Sequence, residues 1–142
     1  MTQAEVKKLL LQAAIAYKRY STARDKADTY RMQLTGRAVR MDNDAPHTSS
    51  GNSTEAGYIR LAELEEEEAA AKQQWLDGIS AVEHLIGLLP VEIWAQVLTY
   101  RYLNNSRFED ISAALGYSDP SIYRIHKKSL RFLAEKLQDD SE

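Results

Sequence analysis

Cysteine is absent from this 142-residue chain, which excludes disulfides and any zinc site built on thiolates and fits a reducing compartment. Histidine is scarce. His47, His84 and His126 are far apart, and Glu83–His84 are neighbours that cannot share a helix face, so no HExxH-type ligand spacing arises. No glycine-rich phosphate loop is present. These absences point away from an enzyme, a metal site or a bound cofactor. Nor does any apolar run approach the ~18 residues a membrane span requires. Leu9–Leu11 are followed by Lys18 and Arg19 with no small-residue cleavage site, so no secretory leader is expected. With 44% hydrophobic residues, enough for a core, the expectation is a soluble protein of the cytoplasm.

The charge that is present is unevenly distributed. Residues 1–41 hold nine basic and three acidic side chains, a net of +6. Residues 55–89 hold two basic and eight acidic ones, a net of −6. Residues 90–137 return to +2 and the tail 138–142 to −3, so the overall −3 conceals a polar layout. Oppositely charged segments joined by one linker suit helices lying side by side, although two solvated faces of different composition would look the same.

Proline is missing from the first 39 residues, and the one glycine there is Gly36. Val6, Leu9, Ala13, Ala16, Tyr20, Ala23, Ala27, Tyr30 and Leu34 recur at alternating three- and four-residue steps, a heptad seam that predicts one long helix from Thr2 to about Val39. Residues 41–54 are rich in turn formers and predict a mobile loop in which His47 is solvated. A second long helix is expected over 55–89. Its Glu65–Glu68 run reads as a solvated or salt-bridging face, because consecutive carboxylates on a helix point in different directions. Pro90 then suits the first turn of the next helix.

Residues 90–137 read as a separate domain. A helix over 91–103 ends at Asn104-Asn105-Ser106, where Asn105 or Ser106 can cap a short helix over 107–115. Gly116 supplies a left-handed stop. Ser118 then caps a last helix with Pro120 in its first turn. On that helix Ile122, Ile125, Ser129, Leu130, Leu133 and Leu137 form a buried stripe, and Tyr123, Arg124, Lys127, Lys128 and Arg131 face the other way. Two helices joined by a glycine turn, the second basic on its free face, form the layout of a helix-turn-helix whose second helix enters the major groove. Candidate DNA-binding residues are Ser118, Asp119, Ser121, Tyr123, Arg124, Lys127, Lys128 and Arg131. Ser121, Tyr123 and Arg124 lie at the end that reaches base edges, where arginine pairs bidentately with guanine. Asp119 favours the positive end of the helix dipole or accepts from a cytosine amino group. Lys127, Lys128, Arg131 and the helix N-terminus at Ser118 suit phosphates. His126 either touches a phosphate or packs at the helix edge.

The stretch from Val97 to Leu137 resembles region 4 of bacterial sigma factors. The resemblance rests on Leu98 with Arg101-Tyr102, on Asp110-Ile111-Ser112, on Leu115-Gly116-Tyr117-Ser118, and on Ile122, Ile125, Ser129-Leu130 and Leu133, in gap-free register. Ser112 and Ser129 depart from the alanines usual there. Nothing in the chain is similar to the promoter-opening region 2, so it is not a sigma factor by itself. The whole layout resembles the ArpU/RinA-like regulators of phages and prophages of Gram-positive bacteria. That resemblance implies an activator of late-gene promoters, acting on double-stranded DNA near host RNA polymerase in the bacterial cytoplasm.

The resulting expectation is an all-α protein. A long N-terminal antiparallel helical pair (1–89) would serve oligomerisation or partner binding, and a sigma region 4-like helix-turn-helix domain (90–137) and an acidic tail (138–142) would follow. A homo-oligomer, most simply a dimer, is expected, with helix pairing within or between chains left open. Two alternatives share the features: a small terminase-like DNA-packaging subunit, which usually places its helix-turn-helix first, and a polymerase-binding module that does not touch DNA. The +2 net charge of residues 90–137 keeps the last alternative open.

Overall fold

Thr2 opens the first helix with a capping box. Its hydroxyl accepts from the Glu5 N–H at 3.2 Å, and the Glu5 carboxylate accepts from the Thr2 N–H at 3.3 Å. In the computed structural model, which describes the backbone of residues 1–43 and 50–140 and the side chains of 1–36 and 54–139, every regular element is helical. The elements are α1 (Gln3–Leu10), α2 (Gln12–Asn43), α3 (Ser50–Gly87), α4 (Glu92–Leu98), a π-helical turn (Thr99–Leu103), α5 (Phe108–Leu115) and α6 (Asp119–Asp140).

The single N-terminal helix expected from the sequence is therefore two, separated only by Leu11. Helical hydrogen bonding passes through that residue: its N–H reaches Lys7 O at 2.9 Å and its carbonyl accepts from Ile15 at 3.0 Å. The loop predicted over 41–54 is shorter than expected, because α2 continues through Asn43 and α3 begins at Ser50; residues 44–49, His47 included, lie outside the described residues. Pro90 does not enter the next helix. Val91, in extended conformation, is its N-cap, and the Val91 carbonyl accepts from both Trp94 and Ala95. Neither Asn105 nor Ser106 caps α5: Arg107 stands at that position without a side-chain cap. Asn105 instead takes the left-handed conformation (φ 56°) that asparagine tolerates, just after the π-turn. The expected acidic tail is helical as far as Asp140.

The chain divides into two compact units, and not at residue 89. The first comprises Met1–Ala16 and Trp75–Glu142, the second Tyr17–Gln74. In the first unit one core is shared by Val6 and Leu10 of α1, Val82, Leu85 and Ile86 of α3, Leu98 of α4, Tyr102 of the π-turn, and Leu130, Leu133 and Ala134 of α6. A boundary at 89/90 would cut through this core, because the apolar stripe of α4–α6 is closed by side chains from before it. A smaller cluster of Val97, Ile111 and Ile122 fixes α5 against α6, with Phe108, Leu115 and Ile125 packed around it.

The second unit is a hairpin of the middle parts of α2 and α3. Arg31 bridges Glu65 at 3.0 Å and Lys26 lies 3.8 Å from Glu67, so numbering rises on α2 as it falls on α3 and the helices run antiparallel. Ala27, Leu34 and Leu64 are buried there and Leu34 covers Gly57. The heptad seam is thus used within the chain. The interhelical ion pairs are exposed and screened by water, so apolar packing holds the hairpin and charge only selects its register.

Candidate nucleic-acid interface

α5 stops where its sequence says it should. Gly116 adopts φ 75°, ψ 27°, and the Gly116 and Tyr117 N–H groups both donate to Ser112 O, at 2.9 and 3.2 Å. Two residues later Ser118 caps α6: its hydroxyl oxygen lies 3.3 Å from the Ser121 N–H and 2.8 Å from the Ser121 hydroxyl, and its carbonyl accepts from Ile122. This local chemistry leaves the first turn of α6 at the surface, with Ser118, Asp119 and Pro120 exposed.

Burial along α6 follows the predicted stripe. Ile122, Ser129, Leu130 and Leu133 are buried and Ile125 and Leu137 half-buried, whereas Tyr123, Arg124, Lys127, Lys128 and Arg131 are exposed. Among the described residues none of the four cations has an ion-pair partner, and their spacing puts them on one side of the helix. Ser121 differs from the expectation of a free reader. It is half-buried, with its hydroxyl engaged by Ser118.

Tyr123 does not stand free either. Its ring lies on Phe108 with centroids 4.4 Å apart and planes at 26°, and 51% of the residue remains exposed. The Arg101 guanidinium sits 4.5 Å from the centre of the same Phe108 ring, within cation–π range, and donates to Ser106 O at 3.1 Å. His126 meets Phe108 edge-on at 5.1 Å. The π-turn, α5 and α6 are thus tied together beneath the exposed tyrosine. Sequence reasoning used Arg101-Tyr102 as part of a resemblance but did not foresee that Arg101, Phe108 and Tyr123 meet; the aromatic character of residues 100, 102, 108 and 123 was the available signal.

His126 packs at the helix edge and is unsuited to phosphate. Its Nε2 lies 2.6 Å from the Tyr102 hydroxyl, and the two rings stack at 5.7 Å. Burial, helped by the Lys7 and Arg101 cations, pulls its pKa down to about 4, so the ring is neutral near pH 7 and adds no charge to the face. Burial likewise pushes the Tyr102 phenol up to about 12, against the pull of Arg101, so it keeps its proton to donate.

Two carboxylates of the acidic run of α3 have ordinary partners. Glu65 bonds Arg31 and Glu67 pairs with Lys26, and among the described residues no three His, Asp or Glu side chains cluster as a metal site would require. Among the same residues, no helix is long and apolar enough to cross a membrane. Comparison with protein-family models, curated proteins and solved structures gives no significant match.

Proposed function

We propose that the protein is a sequence-specific DNA-binding transcriptional regulator, with α5 and α6 acting as a sigma region 4-like helix-turn-helix at a promoter. The observation that carries this reading is the exposed face of α6, where Arg124, Lys127, Lys128 and Arg131 have no ion-pair partner among the described residues while the opposite face closes the core. A row of solvated cations has little stabilising role, and long basic side chains beside an exposed, capped helix N-terminus match what phosphates and guanine edges recruit. Arg124, in the second turn from the cap, is the base reader. Lys127, Lys128 and Arg131 track the backbone, and the stacked Tyr123 offers an apolar ring edge and a hydroxyl to the groove. By the resemblance, the promoter is a phage or prophage late-gene promoter with host polymerase adjacent.

A gel-shift titration against DNA upstream of the neighbouring operons, with random DNA as control and at two salt concentrations, tests the reading. Salt-sensitive binding with preference for one fragment is expected. Arg124→Ala should cost about 1–3 kcal/mol on the preferred fragment and little on random DNA, whereas Lys128→Ala should weaken both alike and reduce the salt slope by about 1. Equal losses on both DNAs for Arg124→Ala would remove it as the base reader. No binding at low salt would point to a module that contacts protein only.

A further inference from the structure

Ala27 and Leu34 of the heptad seam that suggested oligomerisation are buried inside the hairpin unit, so association between chains there has to use a neighbouring surface. One side of that unit carries an open groove. Lys18, Thr22, Lys26, Thr29 and Gln33 follow one face of α2, while Arg60, Leu64 and Glu67 follow the facing edge of α3. Two cavities of about 390 and 420 Å³ lie along it and meet at Lys26, over a length of about 22 Å at the helical rise. Ala23, Tyr30 and Leu64 give it an apolar floor. Its rim has four cations (Lys18, Arg19, Lys26 and Arg60) against two carboxylates (Asp25 and Glu67).

A groove with an apolar floor and a basic rim suits an amphipathic helix of acidic character rather than a phosphodiester chain, which has no apolar side chains to fill the floor. This chain contains such a helix. On the outer side of α3, Ile59, Glu63, Glu66 and Ala70 follow one another at four-, three- and four-residue steps, all exposed, with Ile59 57% exposed. Arg60 already holds Glu63 at 2.9 Å, which leaves Glu66 free to reach across. Lys18, Arg19 and Glu66 have no ion-pair partner among the described residues. We propose that the groove of one copy seats α3 of a second, giving a two-fold dimer in which each hairpin unit is both groove and occupant. In such an isologous contact every pairing occurs twice, so each substitution acts twice. Ile59 reaches the apolar floor and Glu66 meets the Lys18–Arg19 end of the rim. The interface is built from residues of the hairpin unit, and none of them belongs to the exposed cationic face of α6.

Sedimentation velocity on the full chain without DNA tests this. At about 0.1 M salt the expected species is twice the 16.1-kDa chain, and at about 1 M, where the screening length falls to ~3 Å, the dissociation constant should rise about tenfold or more. Ile59→Lys should give a monomer with unchanged helical content by circular dichroism, because that side chain is exposed in the single copy. Arg19→Glu and Glu66→Arg should each weaken the dimer about tenfold, and the double variant should restore it. A wild-type monomer at low salt overturns the proposal, and so does a dimer indifferent to Ile59→Lys or to both charge changes. The gel shift reports on α6 independently, so either reading can fail without the other.

Discussion

Ser112 and Ser129 show how differently one residue type behaves at two buried positions. Ser129 turns its hydroxyl back to Ile125 O at 2.8 Å and is satisfied within its own helix. Ser112, 8% exposed, has a side-chain oxygen with no partner, while its carbonyl already serves the two N–H groups after α5. An unpaired buried hydroxyl costs about 1–3 kcal/mol, so Ser112→Ala should stabilise the protein by about 1 kcal/mol and raise Tm by about 3 °C. Ser129→Ala should be close to neutral in the same melting experiment. Equal gains for the two would show that pairing is not what distinguishes them. His126 supplies a second test at this scale. Its folded pKa of about 4 lies below the ordinary 6.5, so between these values the unfolded chain binds more protons and stability falls as pH is lowered. The loss should accumulate to at most about 3 kcal/mol across that window. His126→Gln retains an acceptor for Tyr102, and chemical denaturation at pH 7 and pH 4.5 should show a smaller drop for the variant than for wild type.

At the scale of elements, two glycines on α3 look alike in the sequence and differ in space. A Cβ at Gly57 would come within 2.7 Å of Leu34 Cδ1, the far end of a flexible side chain that can turn aside. A Cβ at Gly78 would lie 3.2 Å from Ala13 Cα and 3.5 Å from its N, and helix backbone cannot give way locally. Gly→Ala in a helix otherwise gains about 1 kcal/mol. Gly57→Ala should therefore melt at or above the wild-type temperature, and Gly78→Ala should lose about 1 kcal/mol or more. Matched losses in the two variants would refute the distinction. The stops and starts around α5 and α6 were legible because their causes are local: Gly116 takes a positive φ, and Ser118 has a backbone N–H to cap three residues on. The π-turn was not legible. Asn104 N–H bonds Thr99 O at 3.0 Å and Ser106 N–H bonds Tyr100 O at 2.9 Å, a widening stabilised by what the turn packs against rather than by residue preference. The Tyr102–His126 bond was hidden for a related reason, since it joins residues 24 apart on different elements.

For the whole molecule, apolar periodicity revealed which faces are buried but not which partner buries them. Val6 and Ala27 belong to one seam in the sequence, yet Val6 lies in the core that holds α4 and α6, and Ala27 lies in the hairpin unit. A seam of small residues accepts many partners, so the division at residue 89 followed composition where the packing follows the core. The cations of α6, by contrast, could be placed on the free face from spacing alone, because the stripe opposite them is strongly apolar. The shared core makes a prediction about pieces of the chain. A fragment of residues 90–142 keeps α4, α5 and α6 but loses Val6, Leu10, Val82, Leu85 and Ile86, all buried against Leu98, Tyr102, Leu130 and Leu133. At about 1.5–3 kcal/mol for each buried aliphatic side chain, the loss is on the order of 10 kcal/mol, comparable with the whole stability of an ordinary domain. The fragment should therefore retain partial helicity without a cooperative thermal transition, and its amide spectrum should show poor dispersion. A chain carrying both Met1–Ala16 and Trp75–Glu142, joined by a flexible linker in place of the hairpin, should recover the transition, because it restores every member of that core. Cooperative unfolding of the 90–142 fragment alone would mean that the two halves of the core are energetically independent, and the boundary drawn from composition would stand.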